Sequence, residues 1–403
     1  MKKRTRMMTF ALAACMVFGL MAGCGKTGSD THATAAPVTN APAGEAAAPV
    51  TLLLGGIGPL TGDYANYGTS VRNGAQVAVD EINAAGGVNG FNFALDFQDS
   101  QGNADSAVSA YGKLMDSGMD VSLGGTFSGE TASIVAAARE DGILVLTPSA
   151  SAKASIEGND CAFRVCFNDP QQGTASADYI ADNALATKVA VFYQSDIDYS
   201  VGLYETFKTQ CEARNIEITE VQTFTLGTNT DFSTQIAAIR DSGAELVFLP
   251  IYAAEASTFL TQASGKLDGV TFFGCDGLDG ILNKVSDPAL AEGVMMLTPF
   301  AADSTAANVQ SFVAAYQAAY GAAPDQFAAD GYDAVYAVKA ALENAGVTGE
   351  NKDDSFNAKM VAAMTAITVE GVTGTMTWTA DGETSKPAQA MVIRDGAAVV
   401  YEG

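Results

Sequence analysis

The sequence predicts an α/β protein with two lobes, each a doubly wound parallel sheet with helices on both faces. Three observations support this fold class. Short apolar runs, typical of buried strands, alternate with segments whose apolar residues recur at helical spacing. Strands and helices that alternate at this spacing favour parallel sheets. The pattern begins again near residue 188, which implies two similar halves.

The first half opens with an apolar strand at residues 50–54. Glycines follow it directly, and we interpret residues 55–58 as a tight turn. A helix is predicted from about Val71 to the glycine pair at 86–87, where glycine can take the left-handed conformation that ends a helix. The remaining predicted elements of this half are strands at residues 91–97, 121–123 and 143–146 and helices at residues 103–118 and 131–140.

The second half repeats the alternation. Its predicted strands are residues 188–193, 217–221, 246–251, 269–274 and 293–298, and its predicted helices are residues 199–214, 232–240, 306–320 and 329–344. Ligands of open parallel sheets bind at the carboxyl ends of the strands. The loops that follow strands are therefore the candidate site, at residues 58–68, 124–131, 147–152, 194–200, 250–255 and 274–280.

The charge and composition exclude several classes of function. The chain has 21 Lys and Arg against 46 Asp and Glu, a net charge of -25, which excludes a nucleic-acid partner whose phosphates need clustered cations. The single histidine, His32, lies in a linker-like segment, so no Ser-His-Asp triad or histidine metal site is expected. No P-loop motif is present, and residues 55–58 lack the full spacing of a dinucleotide fingerprint. We therefore expect no enzyme, no cofactor and no metal site.

The first residues have the pattern of a secretory signal. Four basic residues precede an apolar stretch at residues 7–21, and small residues then lead to Cys24. This end of the stretch resembles the lipobox of bacterial lipoproteins, with Met21 where leucine is more common. The resemblance implies cleavage before Cys24, a diacylglycerol anchor on its thiol, and an extracytoplasmic protein held at the bacterial cell membrane. The alternative is a secreted protein with an incidental cysteine.

The segment after the signal is predicted to be a flexible tether. Residues 24–49 are mostly Ala, Thr, Gly, Pro and Ser, which cannot bury enough apolar surface to offset the entropy of ordering. Residues 1–23 are then the lipoprotein signal peptide.

Four cysteines remain in the folded part. No Cys-x-x-Cys motif occurs, and Cys161 and Cys166 are five residues apart in a strand-like run, so they are predicted to face opposite sides. We expect buried free thiols at Cys161, Cys166, Cys211 and Cys275, and a single disulfide stays open as an alternative.

Several motifs together resemble the leucine/isoleucine/valine-type periplasmic binding proteins, the extracytoplasmic substrate receptors of amino-acid ABC transporters. The motifs are at residues 58–68, 73–75, 79–90, 99–100, 124–128, 146–151, 163–170 with 172–173, 331–333, and 371–374 with Pro387. The resemblance covers residues 51–403.

The resemblance implies two Rossmann-like lobes joined by three crossovers, the type-I periplasmic binding protein fold. The implied first lobe is residues 51–168 plus 299–378, and the second is residues 169–298 plus 379–403. The ligand is held in the cleft between the lobes, which close about a hinge. The closed form is then recognised by the ABC permease subunits.

The resemblance also implies roles for single residues. Ser128 falls where a serine binds the α-carboxylate of the ligand, and the alternative is an ordinary N-cap of the helix at 131. Ala150 falls where a backbone carbonyl meets the ammonium group, and Ser151 where a hydroxyl or backbone group assists the carboxylate. Tyr199 and Tyr252 match two aromatic positions of the cleft.

Asp276 matches the acidic residue that pairs with the ligand's ammonium group. A carboxylate that lobe closure partly desolvates would select a positive amine, because an unpaired buried charge is unfavourable. The alternative for Asp276 is a solvated acid in a turn.

The residues around the ligand's side chain are left open. Tyr67, Phe127 and Tyr64 come from the first lobe, and an apolar wall of Phe127 and Tyr67 suits an aliphatic or aromatic amino acid. Glu255 could enter from the second lobe, and it would favour a polar or basic ligand. A monomer is expected. The alternative function is a ligand-sensing receptor component that takes no part in transport.

Overall fold

The computed structural model of this protein describes residues 49–384 and 386–401. The predicted signal peptide, Cys24 and the predicted tether up to residue 48 lie outside the described residues. Among the described residues, no helix is both long and apolar enough to cross a membrane.

The first sheet has five parallel strands. They are β1 (Val50–Gly58), β2 (Phe91–Asp99), β3 (Val121–Gly125), β4 (Val145–Thr147) and β5 (Ala162–Arg164), in the spatial order β2-β1-β3-β4-β5. Three helices alternate with these strands, namely α1 (Ala65–Ala84), α2 (Ala104–Asp116) and α3 (Ser128–Ala138).

The second sheet starts with five more strands. They are β6 (Lys188–Gln194), β7 (Glu217–Phe224), β8 (Leu246–Leu249), β9 (Thr271–Gly274) and β10 (Met295–Thr298), and they are parallel to one another. The helices of this part are α4 (Asp169–Asp182), α5 (Asp198–Arg214), α6 (Ser233–Asp241) and α7 (Ala253–Ala263).

After β10 the chain returns to the first lobe. It forms α8 (Ala307–Tyr320), α9 (Gln326–Ala345), α10 (Phe356–Met364) and a hairpin of β11 (Thr368–Gly371) and β12 (Gly374–Thr377). Apolar residues of α9 and α10 share one buried core with strands β1 to β5. The chain then passes to the second sheet, where β13 (Gln389–Arg394) and β14 (Ala397–Val400) pair antiparallel at the edge, in the order β14-β13-β10-β9-β8-β6-β7.

This arrangement confirms the predicted α/β fold with two lobes and three crossovers. The antiparallel edge of the second sheet was not predicted. The residue boundaries proposed for the two lobes stay a prediction.

The predicted tight turn at residues 55–58 is wrong, because β1 continues through it to Gly58. The strand needs glycine at these positions for space. A Cβ atom on Gly55 would collide with the sulfur of Met119, and one on Gly56 would collide with the ring of Phe97. Glycine therefore marks close packing of a buried strand here rather than a change of direction.

Several helices begin earlier than their apolar periodicity predicted. α1 begins at Ala65 rather than near Val71, and α3 begins at Ser128 rather than at residue 131. The first turns of these helices contain Tyr67 and Ser128, whose side chains face the cleft rather than the core of their own lobe. The apolar periodicity of a helix reflects only the turns that face the core. The first turns of these two helices were therefore not predicted.

Candidate functional site

The residues predicted for the site all follow the carboxyl end of a parallel strand. Tyr67 follows β1, Ser128 follows β3, Tyr199 follows β6, and Asp276 follows β9. Because these strand ends face each other across the cleft, residues far apart in sequence come together.

Aromatic rings from both lobes meet in the cleft. The ring of Tyr252 in the second lobe lies 4.6 Å from that of Phe127 in the first lobe. Tyr252 also stacks on Tyr199, with ring centres 4.8 Å apart and planes 5° apart. The edge of Tyr64 packs against Phe127, with centres 5.5 Å apart. The structure thus brings together the aromatic residues that the sequence assigned to the cleft.

A cavity of ≈ 250 Å³ opens beside these rings, and both lobes line it. Its walls are largely aromatic and aliphatic. Its lining residues include Tyr64, Phe127, Ser128, Tyr199, Leu226 and Tyr252. Three acids, Glu130, Asp196 and Asp198, also line it and were missed by the sequence reasoning. Each follows the end of a strand within a few residues, which was the available signal.

Glu130 is one of these acids, and its carboxylate is already engaged. Its Oε1 accepts a hydrogen bond from Ser100 at 2.6 Å, and its Oε2 accepts one from the N–H of Phe127 at 3.3 Å. Burial raises the pKa of Glu130 to about 7. Glu130 therefore fixes the start of α3, next to Ser128.

Ser128 is the first residue of α3, and Phe127 occupies the N-cap position. The alternative interpretation of Ser128 as an N-cap is therefore wrong. The Ser128 hydroxyl oxygen accepts a hydrogen bond from the N–H of Ala152 at 3.1 Å, which leaves its own O–H free to donate. The first N–H groups of a helix have no partner within the helix and favour an anion. This end of α3 can therefore receive a carboxylate.

The loop after β4 contains Ala150 and Ser151, and both residues are buried. The Ala150 carbonyl accepts a hydrogen bond from Nη1 of Arg164 at 2.7 Å. A guanidinium group on this carbonyl reduces its capacity to accept an ammonium group as well, because like charges repel. The Ser151 carbonyl accepts a hydrogen bond from the N–H of Asp169 at 3.0 Å.

Asp276 is only 4 % exposed, so the alternative of a solvated acid in a turn is wrong. Its Oδ1 accepts hydrogen bonds from the Tyr199 hydroxyl at 2.7 Å and from the N–H of Gly277 at 2.8 Å. The N–H of Asp276 donates to Oε1 of Gln172 at 3.2 Å. Desolvation raises the pKa of Asp276 to about 6, although these hydrogen bonds favour the charged form.

Asp276 has no cation partner in the described part of the chain. The two buried cations there are Arg164 and Lys386. Arg164 lies 3.1 Å from Glu383, and Lys386 lies 3.1 Å from Asp330. A ligand's ammonium group could therefore supply the missing positive charge.

Tyr67 contributes more to the contact between the lobes than to the cavity. It is completely buried in α1. Its hydroxyl donates to the carbonyl of Gly277 at 2.7 Å and accepts from the N–H of Ala253 at 2.8 Å. Both partners belong to the second lobe, so Tyr67 holds the two lobes together in this structure.

Glu255 lies behind the aromatic rings rather than among them. Its Oε1 accepts hydrogen bonds from the Tyr64 hydroxyl at 2.6 Å and from Nδ2 of Asn229 at 3.2 Å. It lines a separate polar cavity of ≈ 380 Å³, together with Asp63 and Lys284. The ring of Tyr64 stands between this cavity and the aromatic one.

The four cysteines of the described residues, Cys161, Cys166, Cys211 and Cys275, are free, but the expectation of burial is wrong for Cys161, which is only partly buried. Within residues 49–384 and 386–401, no group of three or more His, Cys, Asp or Glu side chains is arranged to hold a metal ion.

Comparison with known proteins decides the family. The model of the periplasmic binding protein family matches residues 51–398. The chain belongs to this family. This periplasmic binding protein is 30% identical over 338 residues to Leu/Ile/Val-binding protein homolog 3 of Brucella melitensis, across 84% of this chain and 89% of that protein. The predicted resemblance to the branched-chain amino acid family is confirmed.

Solved structures agree with this family. The branched-chain amino acid transporter substrate binding protein LivJ of Streptococcus pneumoniae, in complex with isoleucine, superposes with a TM-score of 0.78 at 29% identity, over 87% of this chain and 99% of that one. A solute binding protein of R. palustris in complex with benzoate superposes with a TM-score of 0.77 at 23% identity, over 87% and 95% of the chains. This periplasmic binding protein is therefore an extracytoplasmic substrate-binding protein and not an enzyme.

Proposed function

We propose that this protein captures a free, apolar α-amino acid between its two lobes and delivers it to the permease of an ABC importer. The observation that carries the proposal is the buried Asp276 carboxylate, which has no cation partner among the described residues. Across the cleft, Ser128 and the start of α3 offer donors for a carboxylate. A zwitterion matches both ends of such a site.

Each end of the ligand then has its own partners. Asp276 pairs with the ammonium group, while Tyr199 holds the carboxylate of Asp276 in position. Ser128 and the first N–H groups of α3 receive the ligand's carboxylate, with Ser151 beside them. The Ala150 carbonyl contributes least to binding the ammonium group, because it already accepts a hydrogen bond from Arg164.

The apolar side chain of the ligand is supported by the walls of the cavity. Phe127 and Tyr252 present ring faces and edges there, and Tyr64 separates the Glu255 carboxylate from this space. An aliphatic side chain is therefore favoured over a basic one. The relatives support the same class, because one is named a Leu/Ile/Val-binding protein homolog and another was solved in complex with isoleucine.

An aromatic carboxylate is the second class of ligand in this fold, as the R. palustris benzoate complex illustrates. Benzoate has no ammonium group, so its capture would leave the Asp276 carboxylate uncompensated in a buried site. We therefore favour the amino acid.

A thermal-shift screen of the common amino acids and benzoate tests this proposal. A ligand that binds only the native state raises the free energy of unfolding by about 2.7 kcal/mol at a hundred times its dissociation constant. We expect L-leucine, L-isoleucine or L-valine to raise the melting temperature and benzoate to leave it unchanged. No response to any amino acid would remove the assignment.

The proposal includes a lipid anchor at Cys24, which lies outside the described residues. In the bacterial cell, Cys24→Ala is expected to move the protein from the membrane fraction to the soluble fraction. Unchanged membrane association would contradict the anchor. Transport is separated from sensing by the uptake of labelled leucine, which is expected to fall when this protein is removed from the cell and its permease is left intact.

A further inference from the structure

Asp169 is a buried acid beside the proposed ligand residues, and its backbone is firmly held. It is the first residue of α4, and its exposed fraction is 0%. Its N–H donates to the carbonyl of Ser151 at 3.0 Å, and its carbonyl accepts from the Thr206 hydroxyl at 3.5 Å. Opposite its carboxylate, Gly202 of α5 has no side chain, and a Cβ atom there would lie 3.4 Å from Oδ2.

The carboxylate of Asp169 is poorly satisfied, although both of its oxygens are buried. The hydroxyl of Ser151 lowers its pKa as a hydrogen-bond donor, but neither Oδ1 nor Oδ2 has a partner at ordinary hydrogen-bonding distance and angle among the described residues. Among the other buried acids, Oε2 of Glu255 is likewise without a partner, but Asp333 is fully satisfied. Asp333 is also completely buried, and its oxygens accept from the N–H groups of Val372 and Thr373, each at 2.9 Å. An unsatisfied buried carboxylate is unfavourable in the free protein, so its presence requires an explanation.

The nearby cation does not satisfy Asp169. Arg164 lowers the pKa of Asp169 through its charge, but its guanidinium group bonds elsewhere. Nη1 donates to Ala150 at 2.7 Å, Nη2 donates to Ala152 at 3.1 Å, and Nε faces Glu383 at 3.1 Å. Burial, followed by the charge of Asp276, raises the pKa of Asp169 well above its usual range.

Asp169 and Asp276 therefore form a pair of buried acids. The N–H of Asp276 donates to Oε1 of Gln172, which lies one turn after Asp169 in α4, at 3.2 Å, and both acids raise the pKa of the Tyr252 hydroxyl through their charge. The other charged or titratable groups that act on one or both acids through their charge are Tyr67, Arg164, Cys166, Asp198, Tyr199, Tyr252, Cys275, Asp279 and Asp330. Arg164 is the one cation among these groups, and it is committed to Ala150, Ala152 and Glu383.

We infer that Asp169 is a second anionic residue of the ligand site, and that Asp169 and Asp276 together receive the ammonium group of one ligand molecule. This inference rests on the proposed function. The ligand's positive charge compensates two carboxylates that the protein leaves without a cation. A buried acid with no internal partner is also typical of a functional site.

Binding of the ammonium group to this pair of acids is then coupled to the release of a proton. In the free protein at mildly acidic pH, the pair holds a proton on a carboxyl group. When the ammonium group enters, that O–H bond breaks, the proton leaves to solvent, and the carboxylate pairs with the ligand. Affinity is therefore expected to rise with pH between about 5 and 8, because the carboxylates must be charged to bind.

The test is calorimetric titration of the full chain with L-leucine, L-isoleucine and L-valine, from pH 5 to 8, in buffers of different ionisation heat. Asp169→Asn keeps the shape and removes the charge. Its matched control is Asp182→Asn, an exposed acid in the same helix. We expect Asp169→Asn to bind about tenfold more weakly or worse, with a smaller proton release and a flatter pH profile. The control is expected to behave like the wild type.

A thermal melt of the ligand-free variants separates a binding role from a structural one. Because Asp169→Asn removes an uncompensated buried carboxylate, it is expected to melt no lower than the wild type. A much lower melting temperature, or wild-type affinity together with wild-type proton release, overturns the inference. If Asp169→Asn does not fold, Asp169→Ser repeats the test with a smaller neutral side chain. If the wild type binds no amino acid, the proposed function itself fails, which is a different result from an unaffected variant.

Discussion

The hydroxyl of Tyr67 in the first lobe donates a hydrogen bond to the carbonyl of Gly277 in the second lobe at 2.7 Å. Gly277 directly follows Asp276, and its N–H donates to the Asp276 carboxylate at 2.8 Å. One of the contacts between the lobes therefore adjoins the proposed partner of the ligand's ammonium group. Contact between the lobes and the position of the Asp276 carboxylate are therefore linked through the turn at Asp276 and Gly277.

Loss of the Tyr67 hydroxyl is expected to weaken ligand binding by destabilising the closed form. Tyr67→Phe removes the partner of the Gly277 carbonyl and of the Ala253 N–H, both at buried positions. Such a loss costs about 1–3 kcal/mol, which corresponds to a dissociation constant for L-leucine about five- to a hundredfold higher. Calorimetry measures this change, with Tyr320→Phe at an exposed tyrosine as the control. Equal affinities of the two variants would show that the contact does not support closure.

Ser128→Ala is expected to raise the dissociation constant for L-leucine about tenfold or more, because a hydrogen bond to a charged group is lost. Ser133→Ala is the control, since Ser133 lies in the same helix and its hydroxyl bonds only to the backbone of Gly129, at 3.0 Å. If both variants bind L-leucine like the wild type, Ser128 does not hold the carboxylate.

The pH dependence of stability follows from the buried Asp276. Its pKa in the folded protein is raised to about 6, so the folded state favours the neutral acid. The stability that this preference contributes is present below the ordinary pKa of an aspartate and is lost as pH rises through 6.

Asp276→Asn is therefore expected to make the ligand-free protein more stable at pH 7.5, by on the order of 1–3 kcal/mol, and to flatten its stability between pH 4 and 7. Asparagine keeps an oxygen that can accept from Tyr199 and Gly277. Urea unfolding at several pH values measures the difference. A variant that is less stable than the wild type at pH 7.5 would contradict a cation-free site at Asp276.

Asp276 and Glu255 are expected to differ sharply as binding residues. Asp276→Ala should abolish the thermal response to L-leucine. Glu255→Ala should change affinity only a few-fold, because Glu255 bonds to Tyr64 and Asn229 and lines the separate polar cavity. Thermal shift on both variants makes the comparison. A complete loss in Glu255→Ala would instead make Glu255 part of the site.

Much of the site could be predicted because it lies on the regular part of the fold. Strand ends of parallel sheets share one edge, so Ser128, Tyr199 and Asp276 could be assigned to the cleft from strand positions and motif resemblance. The direction in which a single side chain points could not be predicted in this way. Glu255 is turned toward Tyr64, 191 residues away in the sequence, and no local pattern encodes that contact.

The role inferred for Asp169 was equally hidden. In the sequence it stands in an Asn-Asp-Pro run for which no helix was predicted, whereas the structure has a capping box at Asn168 and starts α4 at Asp169. Its carboxylate is left without a partner because Arg164 bonds to two carbonyls of another loop and Gly202 offers no side chain. The lack of a partner for this carboxylate thus depends on residues 150–152, 164 and 202 together, which no local sequence pattern reveals.

The central claim is that this site binds a zwitterion through a buried carboxylate, and paired titrations of L-leucine and N-acetyl-L-leucine test it most directly. The two molecules share a side chain and a carboxylate, but only leucine carries an ammonium group. We predict that the wild type binds leucine at least about a hundredfold more tightly, since an uncompensated Asp276 would cost about 3 kcal/mol or more, and that Asp276→Asn loses most of this preference. Comparable binding of the two molecules by the wild type would contradict the account.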